Sequence, residues 1–389
     1  MKIVMICDFY NHTLQYQENL LVKYYKKQGH EVTVITATFD SVFDFYADKY
    51  EKNIPAYEFF DNGAKIIKLP FSVNILNRVR RFGGIKKILE NEQPDLIFSH
   101  NILLNLWEAK KYKKKYPNCK IIMDYHADYS NSAKNWVSLN ILHKIIRKLF
   151  LCSVLKYIDK IYPIVPAGLL FLHEVYGIPY SRMELLPLGT DPDKSNEIIS
   201  QNKGKAIREK LGISADAFVI FSGGKLDPLK KTDLLIKAFK NLSNSRLHLI
   251  IVGKSPENNA SYKAELEALS KNNKNIHFTG WLNSNEIYDY MNASDIAVFP
   301  ASQSVMWQQT IGMGLPLIVG SHLGQDVSYL NLYNCLIILE ENQITVQEIE
   351  KNIKQLVEDT VLLDKMKKAA FKTSNEYLSY DIIAKKTLC

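Results

Sequence analysis

The stretch Ser222-Gly223-Gly224-Lys225-Leu226-Asp227-Pro228-Leu229-Lys230-Lys231-Thr232-Asp233 concentrates the chemistry of this chain. It leaves an apolar run, passes two glycines whose missing Cβ lets backbone approach a ligand, and offers cations just before a helical pattern. That order suits a diphosphate, because Lys225 and Lys230 can neutralise charge on a departing group that otherwise needs a divalent metal. The same residues would also serve as a solvated loop with surface lysines. In the first half, His126 stands in Asp124-Tyr125-His126-Ala127-Asp128, where an imidazole either orients a hydroxyl and stabilises developing charge or is structural. His100 follows the run Asp95 to Ser99 and faces the same side by topology.

These residues need strands that end beside them. Lys2 to Cys7 reads as a buried parallel strand, Tyr16 to Gln28 as an amphipathic helix stopped by Gly29, and Glu31 to Thr36 as the next strand. Further strands at about Lys65 to Leu69, Asp95 to Ser99, Lys120 to Tyr125 and Lys160 to Ile164 predict a doubly wound α/β domain over residues 1–190. Leu186 to Asn202 is rich in turn residues and reads as a linker. The alternation then restarts, with strands at Phe218 to Ser222, Leu247 to Val252, Asn275 to Thr279, Asp295 to Phe299 and Leu317 to Val319. Helices from Lys231, Glu257, Ser284 and Val305 alternate with them, giving a second domain over 203–371. Residues 372–389 read as a helix returning to the first domain. The fold class is α/β, two doubly wound Rossmann-like domains facing across a cleft, with ligands at the carboxyl ends of the strands.

Order and spacing in the second half resemble the retaining glycosyltransferases of family 4 (group 1), of bacterial polysaccharide type, which have the GT-B fold. Their second domain opens with Gly-Arg-Leu, then a Lys five residues after the Arg and an Asp three further on. This chain has Gly224-Lys225-Leu226, Lys230 and Asp233, so the charge is kept and the bidentate fork is lost. Ile250-Ile251-Val252-Gly253 is similar to the family strand whose glycine leaves room for the donor, and Phe278-Thr279-Gly280-Trp281-Leu282 to the turn that holds the nucleotide base. Asp295 to Pro300 is similar to the strand leading into the family's paired glutamates. There the chain departs: Gln309 stands at the second glutamate, which receives ribose hydroxyls, and the first has no counterpart. Gln303, or the hydroxyls of Ser302 and Ser304, would substitute. Ser304 also reads as the N-cap of a helix from Val305, either presenting N–H groups to donor phosphates or capping only.

Tyr16-Gln17-Glu18-Asn19 and Gly29-His30-Glu31-Val32 resemble the family's first helix and second strand. The loop Asn11-His12-Thr13-Leu14-Gln15 lacks the family's glycines, so acceptor geometry near Gln15 differs. It also lacks GxGxxG, which argues against a nicotinamide-dependent dehydrogenase. Asp191-Pro192-Asp193 invites a metal-binding reading but resembles the end of the family's Pro-x-Gly-x-Asp run, so no bound metal is implied. The resemblance implies transfer from a nucleoside-diphosphate sugar to a hydroxyl of a surface glycan or lipid-linked acceptor, with no cofactor. His126, Lys225 and Lys230 would be catalytic, and Gly224, Gly253, Trp281, Leu282, Gln303, Ser304, Val305 and Gln309 would bind the donor. Gln15 and His100 would lie on the acceptor side. A nucleotide-sugar epimerase of the same fold and a silent binding subunit are the rivals.

Composition narrows the setting. No run of about 18 apolar residues is present, and the N-terminal apolar run is too short for a signal h-region. Cys7, Cys119, Cys152, Cys335 and Cys389 are scattered without CxxC spacing and fit a reducing cytosol. Of the net charge of +8, residues 65–160 alone carry 19 Lys and Arg against 7 Asp and Glu, so the basic surface belongs to the first half. Two basic segments, Asn74 to Glu90 and Ile141 to Lys156, read as helices either lying at an anionic membrane or packing their apolar stripes inward. With a lipid-linked acceptor implied, the expectation is a cytoplasmic protein at the inner face of the membrane that binds no nucleic acid.

Overall fold

The computed structural model describes the chain except for residues 41–44, 47–48, 257–258, 302, 323 and 389. The helix start expected at Glu257, the hydroxyl of Ser302 and the thiol of Cys389 lie outside the described residues. The other four cysteines are free. Contacts divide the chain into two compact units, Met1–Pro187 with the residues from Ile383 on, and Leu188–Ile382.

Among its described residues the first unit has nine strands: β1 (Lys2–Ile6), β2 (Glu31–Ala37), β3 (Tyr57–Asp61), β4 (Ala64–Leu69), β5 (Phe71–Ile75), β6 (Val79–Phe82), β7 (Leu96–His100), β8 (Lys120–Tyr125) and β9 (Lys160–Pro163). Seven form one sheet in the order β3-β4-β2-β1-β7-β8-β9. It is parallel except for β3, which returns antiparallel to β4. The central strands are apolar on both faces because helices cover both, and Val4, Ile6, Ile35, Ile97 and Ile121 are fully buried. The helix Gln17–Lys27 follows β1, as its spacing predicts.

Two hairpins in this unit were not expected from periodicity. Asn62 and Gly63 both take positive φ between β3 and β4, the two-residue turn that an Asn-Gly pair signals. The basic segment Asn74 to Glu90 is not one helix, which corrects the sequence reading. β5 and β6 pair antiparallel through Leu76 and Asn77, both at positive φ, and a helix begins only at Ile85, after Gly83 and left-handed Gly84. Alternating β-branched residues and the paired glycines outweigh the helical spacing of the arginines. The second basic segment is helical, a π-helix over Ser138–Arg147 running into an α-helix over Lys148–Leu155.

The second unit has six parallel strands, β10 (Phe218–Gly223), β11 (Leu247–Val252), β12 (Ile276–Gly280), β13 (Ile296–Phe299), β14 (Leu317–Gly320) and β15 (Leu336–Leu339), in the order β12-β11-β10-β13-β14-β15. β15 was not anticipated. The segment read as a linker contains a helix, Pro192–Ser200, in which the side chain of Asp191 accepts the Lys194 N–H and Pro192 fills the first turn. The turn-like composition hid an Asp-Pro helix start. Residues from Ile383 on pack in the first unit: Tyr25 and Thr387 share a 2.5 Å hydroxyl contact, and Lys386 bridges to Glu184 at 2.9 Å.

In both sheets the strand order reverses beside a central strand, at β1 and β7 in the first and at β10 and β13 in the second. Loops leaving such neighbours diverge and open a crevice at their carboxyl ends. Each unit carries its chemistry-bearing residues there.

Candidate functional site

In the second unit, the loop after β10 meets the loop after β13. Gly224 takes φ +123° and Gly253, closing β11, takes φ +133°, conformations that L-residues other than glycine rarely adopt. A Cβ on Gly253 would overlap the Gly224 carbonyl, so Gly253 is required by contact as well as by torsion and Gly224 by torsion. The Gly224 N–H donates to the Val252 carbonyl at 2.9 Å, and the Gly253 N–H to the Gly280 carbonyl at 2.9 Å. Three neighbouring strand ends are thereby locked in line.

Lys230 reaches back across this edge, and its ammonium donates to the main-chain carbonyl of Gln303 at 2.6 Å. Burial drives its pKa down to about 8, with only Asp227 opposing the shift. A Cβ on Gly224 would lie 3.7 Å from Lys230 Cε and 3.8 Å from Ser304 Oγ, so Gly224, Lys230, Gln303 and Ser304 form one group. Lys225 stands exposed beside it. Ser304 does not occupy the cap position: that falls on Val305, in helical conformation, while Ser304 Oγ accepts the Met306 N–H at 3.3 Å. Gln309 lies half-buried on the short helix Met306–Gly312. Trp281 and Leu282 follow β12, with Trp281 largely exposed.

In the first unit, Asp124 at the end of β8 is fully buried between two imidazoles. His100 Nδ1 stands 2.8 Å and His126 Nε2 3.0 Å from the same Oδ2. Burial opposes ionisation of Asp124, yet the two histidines hold its carboxyl well below the usual range. Burial likewise works against the charged form of His100, and the Asp124 carboxylate overcomes it and raises the pKa. The His126 N–H donates to Asn101 Oδ1 at 3.0 Å, which fixes the loop. The three side chains place ligand atoms within 4.8 Å of one another, close enough for a cation, though the shared carboxylate already accounts for the cluster. Gln15 lies half-buried before the helix Gln17–Lys27.

His126 and Asn101 line a cavity of about 680 Å³ that sequence reasoning missed. Its walls come from the β5–β6 hairpin and the π-helix, the two basic segments, and from Asp8 after β1. Asp8 pairs with Arg80 at 2.5 Å; burial pushes its carboxyl up and the guanidinium only partly restores it. Asp8 is visible in sequence only as the first polar residue after a buried strand.

Comparison with known proteins bears on both halves. Residues 19–194 match the model of Glycosyltransferase Family 4, and residues 204–373 that of Glycosyl transferases group 1. Both halves are glycosyltransferase domains, and the fold is GT-B. A glycosyltransferase structure from Rickettsia africae superimposes with TM-score 0.69 over 100% of this chain and 96% of that one, at 16% identity. An Anabaena structure described as Alr3699/HepE in complex with UDP gives TM-score 0.67 over 100% and 98%, at 15% identity. The lipopolysaccharide 1,2-N-acetylglucosaminetransferase of Salmonella typhimurium is 22% identical over 62% of this chain and 56% of its own length. The chain thus spans about half the length of the relatives it matches in sequence. Among the described residues of this GT-B chain, no helix is long and apolar enough to cross a membrane.

Proposed function

We propose that the protein transfers a hexosyl group from a nucleoside-diphosphate sugar to a hydroxyl of a surface-glycan or lipid-linked acceptor, with retention. The observation that carries this reading is the desolvated ammonium of Lys230, held beside Gly224, whose positive φ disfavours a side chain. A diphosphate against that edge gains a charge-assisted contact from Lys230 and a second from exposed Lys225. The two lysines supply the charge that a divalent metal supplies elsewhere, so the reaction needs none.

In the transfer, the bond from the anomeric carbon to the diphosphate oxygen breaks and a bond from the acceptor oxygen forms on the same face. The acceptor proton passes to the leaving diphosphate. His126, whose Nε2 faces Asp124, orients a hydroxyl of the transferred sugar, and Gln309 accepts from ribose hydroxyls without charge assistance. UDP in the Anabaena structure supports a uridine nucleotide as the first to try, and the Salmonella relative's name supports a glycan acceptor. Peripheral contact with an anionic membrane is supported by the π-helix and the residues on either side of it, where Trp136, Val137, Ile145 and Leu149 are exposed among Lys134, Lys144 and Lys148.

The decisive experiment is a panel of nucleotide sugars scored by released nucleotide, with mass analysis of the acceptor. Thermal unfolding with UDP and GDP runs beside it. Stabilisation of the parent that disappears in Lys225→Ala and Lys230→Ala supports the donor site; equal stabilisation in all three removes it.

A further inference from the structure

The cavity in the first unit has an unusual lining for a site that meets only sugars. One wall is aliphatic, formed by Ile75, Leu76 and Val79 of the hairpin and Val137, Ile141 and Ile146 of the π-helix. Several of these continue onto the surface: Leu76 is 88% exposed, and Ile75 and Val137 are more than half exposed. Part of the remaining lining is cationic, beside neutral polar residues such as Asn101, Asn131, Asn135 and Ser138. Arg78, Arg80, Lys134 and Arg147 face a single carboxylate, Asp8, which Arg80 already neutralises.

Arg147 donates to the main-chain carbonyl of Arg78 at 2.9 Å, so the two guanidinium-bearing residues are tied together. Both press on buried His143, whose imidazole is driven down to about 4, first by burial and then by Arg147 and Arg78. Neither forms an ion pair among the described residues, and the one lining carboxylate that feels the charge of Arg147, Asp8, is already bonded to Arg80. Asp8 contributes a second feature, because its Oδ1 is buried without a hydrogen-bond partner among the described residues although it borders the cavity. A bound hydroxyl would satisfy it.

We propose that this cavity is the acceptor site and that the acceptor is an anionic amphiphile. Arg78 and Arg147 hold its phosphate, the aliphatic wall takes the start of its apolar chain, and its hydroxyl-bearing head lies toward Asp8 and His126. This assignment rests on the glycosyltransferase reading for the meaning of "acceptor", but the ligand chemistry follows from the cavity alone. A neutral glycan would leave the guanidinium charge unused and would gain little from an aliphatic wall. A free anion would leave the wall wet. An amphiphile with both parts satisfies each.

The test is calorimetric binding of three probes below their micelle concentrations: dodecyl phosphate, dodecyl glucoside and inorganic phosphate. Dodecyl phosphate is expected to bind at least about tenfold more tightly than either of the others. Arg78→Ser with Arg147→Ser should weaken it by roughly tenfold or more, and Ile141→Asp, on the exposed wall, should do the same without touching the guanidinium groups. Equal affinity for dodecyl glucoside, equal affinity for inorganic phosphate, or unchanged binding in both variants would overturn the proposal. UDP stabilisation is read on the same samples. If UDP fails to bind while dodecyl phosphate behaves as expected, the donor reading falls and the amphiphile site stands; UDP binding without dodecyl phosphate binding gives the reverse.

Discussion

The ammonium of Lys230 sits 2.6 Å from the carbonyl oxygen of Gln303, joining the loop after β10 to the loop after β13 across the strand reversal. Burial has lowered its pKa to about 8, so in the ligand-free protein it loses its proton well before an ordinary lysine does. A diphosphate binds the charged form and raises the pKa again. Nucleotide affinity should therefore fall as pH rises above about 8, with proton uptake on binding. Calorimetry at pH 8.5 in buffers of different ionisation enthalpy would detect it. Lys230→Arg, charged throughout, should flatten the profile; an unchanged slope in that variant would assign the pH dependence to another group.

Gln309 and its neighbour Gln308 make a controlled pair. Gln308 is buried and reaches the Tyr329 hydroxyl at 3.4 Å, whereas Gln309 is half-buried near the strand ends. Gln309→Leu should weaken nucleotide binding by roughly 1–3 kcal/mol through unpaired ribose hydroxyls, and Gln309→Glu should keep it. Gln308→Leu should lower the melting temperature and spare affinity. A binding loss confined to Gln308→Leu would move the ribose contact by one residue.

Asp124 serves two imidazoles at once, so Asp124→Asn should cost about 3–5 kcal/mol of stability by leaving buried His100 without its charge partner. The pH window follows from the two shifts. Raised His100 contributes fully below about pH 6.5 and loses its contribution as pH rises through its folded pKa. Depressed Asp124 contributes above about pH 4 and loses its contribution as pH falls. The margin of parent over variant, measured by urea unfolding, should be widest between about pH 4 and 6.5 and narrow on both sides. A constant margin would show that the pair is not coupled.

The π-helix offers the clearest membrane test. Ile145→Ser with Leu149→Ser removes exposed apolar surface that supports no core packing, and should reduce co-sedimentation with anionic vesicles while leaving stability within about 0.5 kcal/mol. Binding by the parent should fade with added salt, since each nearby cation contributes about 1 kcal/mol only within a Debye length. Indifference of the parent to anionic vesicles at low salt would remove the membrane from the proposed function.

Much of this architecture is decided by sequence. Runs such as Leu247–Val252, apolar at every position but His248, suit strands covered on both faces, and their alternation with helical spacing yields two doubly wound sheets. Gly223-Gly224 followed by Lys230 predicts a backbone edge with a cation beside it, and the Lys230 ammonium lies against that edge. Tertiary structure decided what local pattern leaves degenerate. The arginines near Asn74 have helical spacing, yet a turn at Leu76 and Asn77 folds them into a hairpin, and that hairpin lines the same cavity as the π-helix. The role of Asp124 is likewise invisible in a chain that separates it from His100 by 24 positions, since only parallel pairing of β7 with β8 sets His100 opposite Asp124. Sequence spacing records neighbours along the backbone, and the shared carboxylate and the cavity arise from neighbours across the sheet.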